Sequence, residues 1–442
     1  MNISKCLDLI ERDRKVISPC SHLSYFPLAV ASACGSVITD EDGNKFIDFL
    51  SSGASLNLGS SHPAVAEAVR EQLGLSAQYT QAYSYNRKSI EYAERLASVY
   101  PGGVDVKVCF GNCGSDANDA AIKFARAYTR RSKIITFINA YHGSTYGSQS
   151  LTACSARVRK SMGPFLPECY TFPFYGTDID DETAARESTA QIELAFSTYL
   201  PADEVAAVII EPMQGDGGLI PAHPIFMKKL YELCRKNGIL FISEEVQQGC
   251  WRTGKMFSIE HYGIVPDGII MGKSVGASLT LGCFIARSEI IDVLPAPAHT
   301  FTLGANALAC AAGIAAFDYY YTEEFQTLLQ TNIDLAESCA GELAHKHSAT
   351  VRDCRNLGLS MGIEISDPAG RSDEDAAFKV LYRCYELGLI VISFAGNVLR
   401  IQPPLNIEPE LLKEGFRIID QAMCDFETGL VSDDVLRYKS GW

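Results

Sequence analysis

From Lys107 to Ala286 the chain repeats one pattern: a short run of apolar residues, then a longer stretch whose apolar positions recur at helical spacing. The runs are KVCF, KIITF, AAVIIE, ILFISEEV, GIIMG and GCFIA. Strands this apolar must be covered on both faces, and helices between successive strands supply the cover, so the pattern predicts a parallel sheet in an α/β fold. Ligands of such sheets bind outside the carboxyl ends of the strands. Chemistry is therefore expected in the residues that follow each run.

Before this region, GSVITDEDGNKFIDFL predicts a hairpin that turns at Asp42-Gly43. After it come amphipathic helices and a last strand near Asn397–Gln402. The expected organisation is a large domain over residues 61–306 and a smaller α+β domain made from residues 1–60 and 307–442. A chain of 442 residues can bury a core without staples. Its 15 cysteines are odd in number and form no CxxC pair. With a polar, charged start and no apolar run of ~18 residues, this reads as a cytoplasmic protein with reduced thiols. The eight histidines form no HxxxH pair, and the one HxH, His345-Lys346-His347, stands in a charged helical stretch with no cysteine beside it, so no metal site is expected. A net charge of -15 argues against nucleic acid and anionic membranes as partners.

GNCGSDAND follows the run KVCF and opens a helix whose apolar positions are Ala117, Ala120, Ala121, Phe124 and Tyr128. Gly114 and Ser115 at a helix start can present free N–H groups to an anion; the other reading is that Ser115 is simply the N-cap. GCWRTGKM lacks the Ser/Thr that a P-loop needs, and GIIMGKS is one residue too short for one. The pair Gly272-Lys273, however, directly follows the strand GIIM, and the uncharged flanks of Lys273 predict a partly desolvated amine suited to Schiff-base chemistry. Glu244 and Glu245 end another strand with opposite facings, so one of them points into the site and the other elsewhere, unless both serve a rim ion pair. Glu211 and Asp216 follow a third. An anion cradle, a lysine and a carboxylate together suit a cofactor with a phosphate, a carbonyl and a basic ring nitrogen, which describes pyridoxal phosphate.

These residues, with NAYHGSTYGSQS, IIEPMQGDGG, EEVQQGCWRTGK, HTFTLGANALACAA and VLRIQPPL, resemble the class III aminotransferases along nearly the whole chain. Within that family the pattern looks most like the amino-acid racemases and epimerases. The resemblance implies a fold type I pyridoxal-phosphate enzyme, with a large, mostly parallel sheet domain and a smaller α+β domain. It implies that Lys273 is the Schiff-base lysine and that Gly114 and Ser115 hold the phosphate, with Thr302 reaching it from the partner of a homodimer. Tyr141 and Val246 would flank the ring, Glu244 would face its nitrogen and Gln247 its 3-oxygen. Arg400 would pair with a carboxylate, either the substrate's or that of Asp216. Glu244 replaces the family's usual Asp, and Trp251 replaces a Gly, with either a loop or an interface reshaped.

The reaction implied is inversion at Cα of an apolar, isoleucine-like amino acid; the alternative is amino transfer to a 2-oxo acid. Inversion needs a second acid on the face opposite Lys273. Asp216 is the candidate, unless it is only a looser ion-pair partner of Arg400. Cys113 lies inside the expected phosphate cradle and Cys250 beside the cofactor loop, so thiol modification there is expected to inhibit.

Overall fold

The computed structural model describes residues 1–366 and 373–439. The apolar runs form a seven-stranded sheet in the unit Pro63–Thr322. Its strands are β1 (Val106–Gly111), β2 (Lys133–Phe137), β3 (Cys169–Phe172), β4 (Val205–Ile210), β5 (Leu240–Glu244), β6 (Gly268–Met271) and β7 (Gly282–Arg287). Their spatial order is β1-β7-β6-β5-β4-β2-β3. Strands β2, β4, β5 and β6 are buried at every position. That is why their sequences are continuous rather than alternating.

Two strands depart from the sequence reading. β7, the run GCFIA, is antiparallel to both neighbours, β6 and β1. Only the segment 272–281 separates it from β6, with a single 3-10 turn at Lys273–Gly276; a parallel return needs a crossover of about a dozen residues or more. The second is β3, CYTF, which has no continuous apolar run. It pairs only with β2, at the sheet edge, and one face stays partly exposed.

The helix after β1, Gly114–Thr129, buries Ala117, Ala120, Ala121 and Phe124 against Ile134, Ile242, Ile270 and Phe284 of the sheet. The Phe124 and Phe284 rings stack at 6.0 Å. This packing fixes the start of the helix at the carboxyl end of β1.

The second unit combines Met1–His62 with Glu323–Trp442. The two chain ends are knitted by Leu389–Ile390, which pairs in parallel with Lys45–Asp48. The helix Ala307–Tyr320 groups with the large unit, where it packs on the helices Pro63–Leu75 and Arg87–Ser98, and not with the C-terminal segment that was expected to begin at 307. The hairpin near Asp42-Gly43 forms between Val37–Asp40 and Lys45–Asp48, but its loop is longer than two residues. Asp40 accepts from the N–H groups of Asp42 and Asn44, and Gly43 takes φ +87°. In the same unit buried His347 is hydrogen-bonded by Asp420 at 2.9 Å and Glu427 at 3.0 Å. Cys424 lies beside them, a grouping that joins two segments more than 70 residues apart.

Candidate active site

The residues after β1, β2, β4, β5 and β6 converge as the parallel sheet requires. At the end of β1 the chain turns into its helix through Cys113, extended at φ -159°, and among the described residues no side chain caps it. Ser115 is therefore not the N-cap. Its hydroxyl accepts from the N–H of Ser144 at 3.1 Å, tying the helix start to the loop after β2. The first-turn N–H groups and the positive end of the helix are left to attract an anion.

Missing side chains bring three of these loops into contact. A Cβ on Gly114 would lie 2.7 Å from Val246 Cγ1. One on Gly272 would lie 2.8 Å from the Gly114 nitrogen and 3.0 Å from Val246 Cγ1. Gly272, the residue before Lys273, thus lies against both the anion cradle and Val246. Lys273 itself is half-buried and holds a left-handed backbone, φ +48°.

Glu244 and Glu245 do face different partners, and among the described residues neither makes a rim ion pair. Glu245 is buried and accepts four hydrogen bonds, from Ser243 Oγ, Ser258 N and Oγ, and Ile259 N, at 2.6 to 2.9 Å. Burial pushes its carboxyl up to about 7 against those bonds. Glu244 is equally buried but poorly satisfied, with Asn118 Nδ2 at 3.5 Å and Val246 N at 3.4 Å. Burial, with Glu211 adding to it and Lys273 opposing, holds the Glu244 carboxyl well above the usual range. A carboxyl this buried and this short of donors is matched to a protonated ring nitrogen. Asn118 also donates to Gly114 O at 3.0 Å, while its own Oδ1 finds no partner among the described residues. Sequence reading passed over Asn118, although a polar residue in the buried Ala117–Ala121 stripe was a signal.

Beyond β4, Glu211 accepts from the N–H groups of Tyr141 and Gly215, both at 3.0 Å. Burial raises it to about 7, with the Asp216 charge adding and Lys273 opposing. Tyr141 shares a hydrogen bond with Ser144 at 2.9 Å. A Cβ on Gly215 would strike the Gln247 amide, so Gln247 lies against the Gly215–Asp216 turn. The large unit therefore gathers Gly114, Ser115, Tyr141, Asp216, Glu244, Val246, Gln247 and Lys273. Thr302 is exposed on the same unit, its carbonyl accepting from Gln78 at 2.6 Å. Arg400 belongs to the other unit, buried with its guanidinium 4.7 Å from the Phe394 ring and hydrogen-bonded to Gln402. Trp251 packs edge-on to Tyr321 at 5.6 Å, within the large unit.

The family model "Aminotransferase class-III" matches residues 20–423. The chain belongs to this family. Among class III relatives, isoleucine 2-epimerase of Lentilactobacillus buchneri is 38% identical, covering 100% of this chain and 99% of its own. Leucine/methionine racemase of Thermococcus litoralis is 35% identical over 98% and 99%. A solved structure of ornithine aminotransferase from Toxoplasma gondii aligns with TM-score 0.83 and 26% identity over 95% of each chain, and its description places PLP at that protein's active site. The class III fold and the donor set agree on the cofactor. Pyridoxal phosphate fits an uncapped helix start for its phosphate, side-chain-free glycines for its close approach, a buried under-satisfied Glu244 for its ring and a half-buried lysine for its carbonyl.

Proposed function

We propose that this enzyme inverts Cα of apolar amino acids of the isoleucine class. The observation that supports the reading is a pair of backbone placements: Gly272, next to Lys273, lies against Val246, whereas Gly215, next to Asp216, is tied through Glu211 to the Tyr141 N–H. The full-length similarity to an epimerase and a racemase supports it.

When bound, pyridoxal phosphate supplies a carbonyl for amines and a protonated ring that draws electron density from Cα. Lys273 carries the cofactor and, on its own side, takes or returns the Cα proton. Asp216 does the converse on the Tyr141 side, so one group gains a proton as the other gives one up, and return from solvent resets both. Glu244 keeps the ring nitrogen protonated from a site with little water. Gly114 and Ser115 fix the phosphate, Gln247 the ring oxygen, and Tyr141 and Val246 hold the ring between them. Arg400 is assigned to the substrate carboxylate and Thr302 to the partner subunit's phosphate in a cytoplasmic homodimer.

The test supplies pure L-isoleucine and no oxo acid. Chiral chromatography should reveal the Cα-inverted product. Turnover that begins only when 2-oxoglutarate is added would instead establish the aminotransferase reading.

A further inference from the structure

Glu211 contacts both sides of the site through main chain alone. It directly follows β4, is 4% exposed, and uses its two oxygens on two different loops. Oε1 accepts from Tyr141 N–H, after β2, and Oε2 from Gly215 N–H, the residue before Asp216; both bonds are 3.0 Å. The Gly215 turn closes on itself through the N–H groups of Gly218 and Leu219, so fixing Gly215 fixes the residue that follows it. A second tie runs in parallel, from Gln214 Nε2 to Ile138 O at 2.7 Å. No neutral side chain of the same size could accept at both ends.

We infer that Glu211 is a positioning residue for inversion, holding Tyr141 and the Asp216 turn in one register by a two-oxygen backbone clamp. This rests on the reading of Asp216 as the second acid. Glu211→Gln keeps the volume but turns one oxygen into an NH₂ that faces an N–H donor. One of the two backbone groups then loses its acceptor, and the half of the reaction that depends on Asp216 suffers. The half that depends on Lys273 suffers less: it loses the nearby Glu211 charge, but Lys273 leaves from β6 and Gly272 before it stays packed on Gly114 and Val246.

Two measurements test this. In deuterated water, the early partition of L-isoleucine between exchange with retention and inversion reports the two proton donors separately and does not depend on how much enzyme is folded. Glu211→Gln should lower inversion about 10- to 100-fold relative to retained exchange, the range for one buried donor left without its acceptor. Amide hydrogen exchange on the cofactor-free protein should show faster exchange at Tyr141 or Gly215 in the variant. An unchanged partition, or equal loss of both processes, overturns the inference, as does unchanged amide protection. If the wild type itself never inverts Cα, the epimerase reading fails, and the amide measurement still decides whether the clamp exists.

Discussion

Lys273 follows the end of β6 by two residues and takes φ +48°, a region that non-glycine residues seldom occupy. Lys273→Ala should abolish the visible absorbance of the bound cofactor and its bleaching by borohydride, read by spectrophotometry, while the far-UV circular dichroism stays that of the wild type. The two cysteines expected to share reactivity differ. Cys113 is exposed at the anion cradle, whereas Cys250 is buried, which pushes its thiol up to about 12. The expectation for Cys250 is therefore corrected, because a buried thiol at neutral pH is neither ionised nor accessible. Iodoacetamide footprinting by mass spectrometry should label Cys113 well before Cys250, and saturation with pyridoxal phosphate should slow the labelling of Cys113. Residue types at strand ends were legible because each follows its own apolar run. The burial that separates Glu244 from Glu245, or Cys113 from Cys250, was not, because it depends on what other segments lay over them.

At the scale of elements, the end of β5 is locked by Glu245, three of whose four hydrogen bonds clasp the turn Ser258–Tyr262, the fourth coming from Ser243 of β5 itself. The folded protein holds a proton on Glu245 up to about 7, while the unfolded chain releases it near ~4.3. Between those values the folded state binds more protons, so this group's contribution to stability is complete below the lower value and is lost as pH rises through the upper one. Glu245→Gln removes that dependence. The stability advantage of wild type over the variant should shrink between pH 4.5 and 7.5 in urea unfolding of the cofactor-free protein, by roughly 1–3 kcal/mol. An advantage that grows with pH would contradict the assignment. The strands themselves were legible except β3, whose half-exposed edge breaks the apolar run. The direction of β7 was hidden because it is set by the length of a connection and not by the strand's own residues.

For the whole molecule, no helix among the described residues is long and apolar enough to cross a membrane. The large unit nevertheless leaves Tyr79, Tyr83, Tyr85 and Leu303 at 70%, 88%, 97% and 60% exposure, on two segments joined by the Gln78–Thr302 hydrogen bond. So many exposed large apolar groups suit a subunit contact. Sedimentation should give twice the 48.2 kDa chain mass, and Tyr83→Asp with Leu303→Asp should yield monomers with at least ~10-fold weaker cofactor binding. A monomeric wild type would refute this. The sequence by itself determined the α/β class, six of the seven strands of the large sheet and the residues at their carboxyl ends, because apolar periodicity and the residues that follow it are local properties. Only tertiary structure decided the reversal of β7, the grouping of Ala307–Tyr320 with the large unit and the Glu211 clamp between two loops. Each of those depends on pairing between distant segments, whose energies no local pattern encodes.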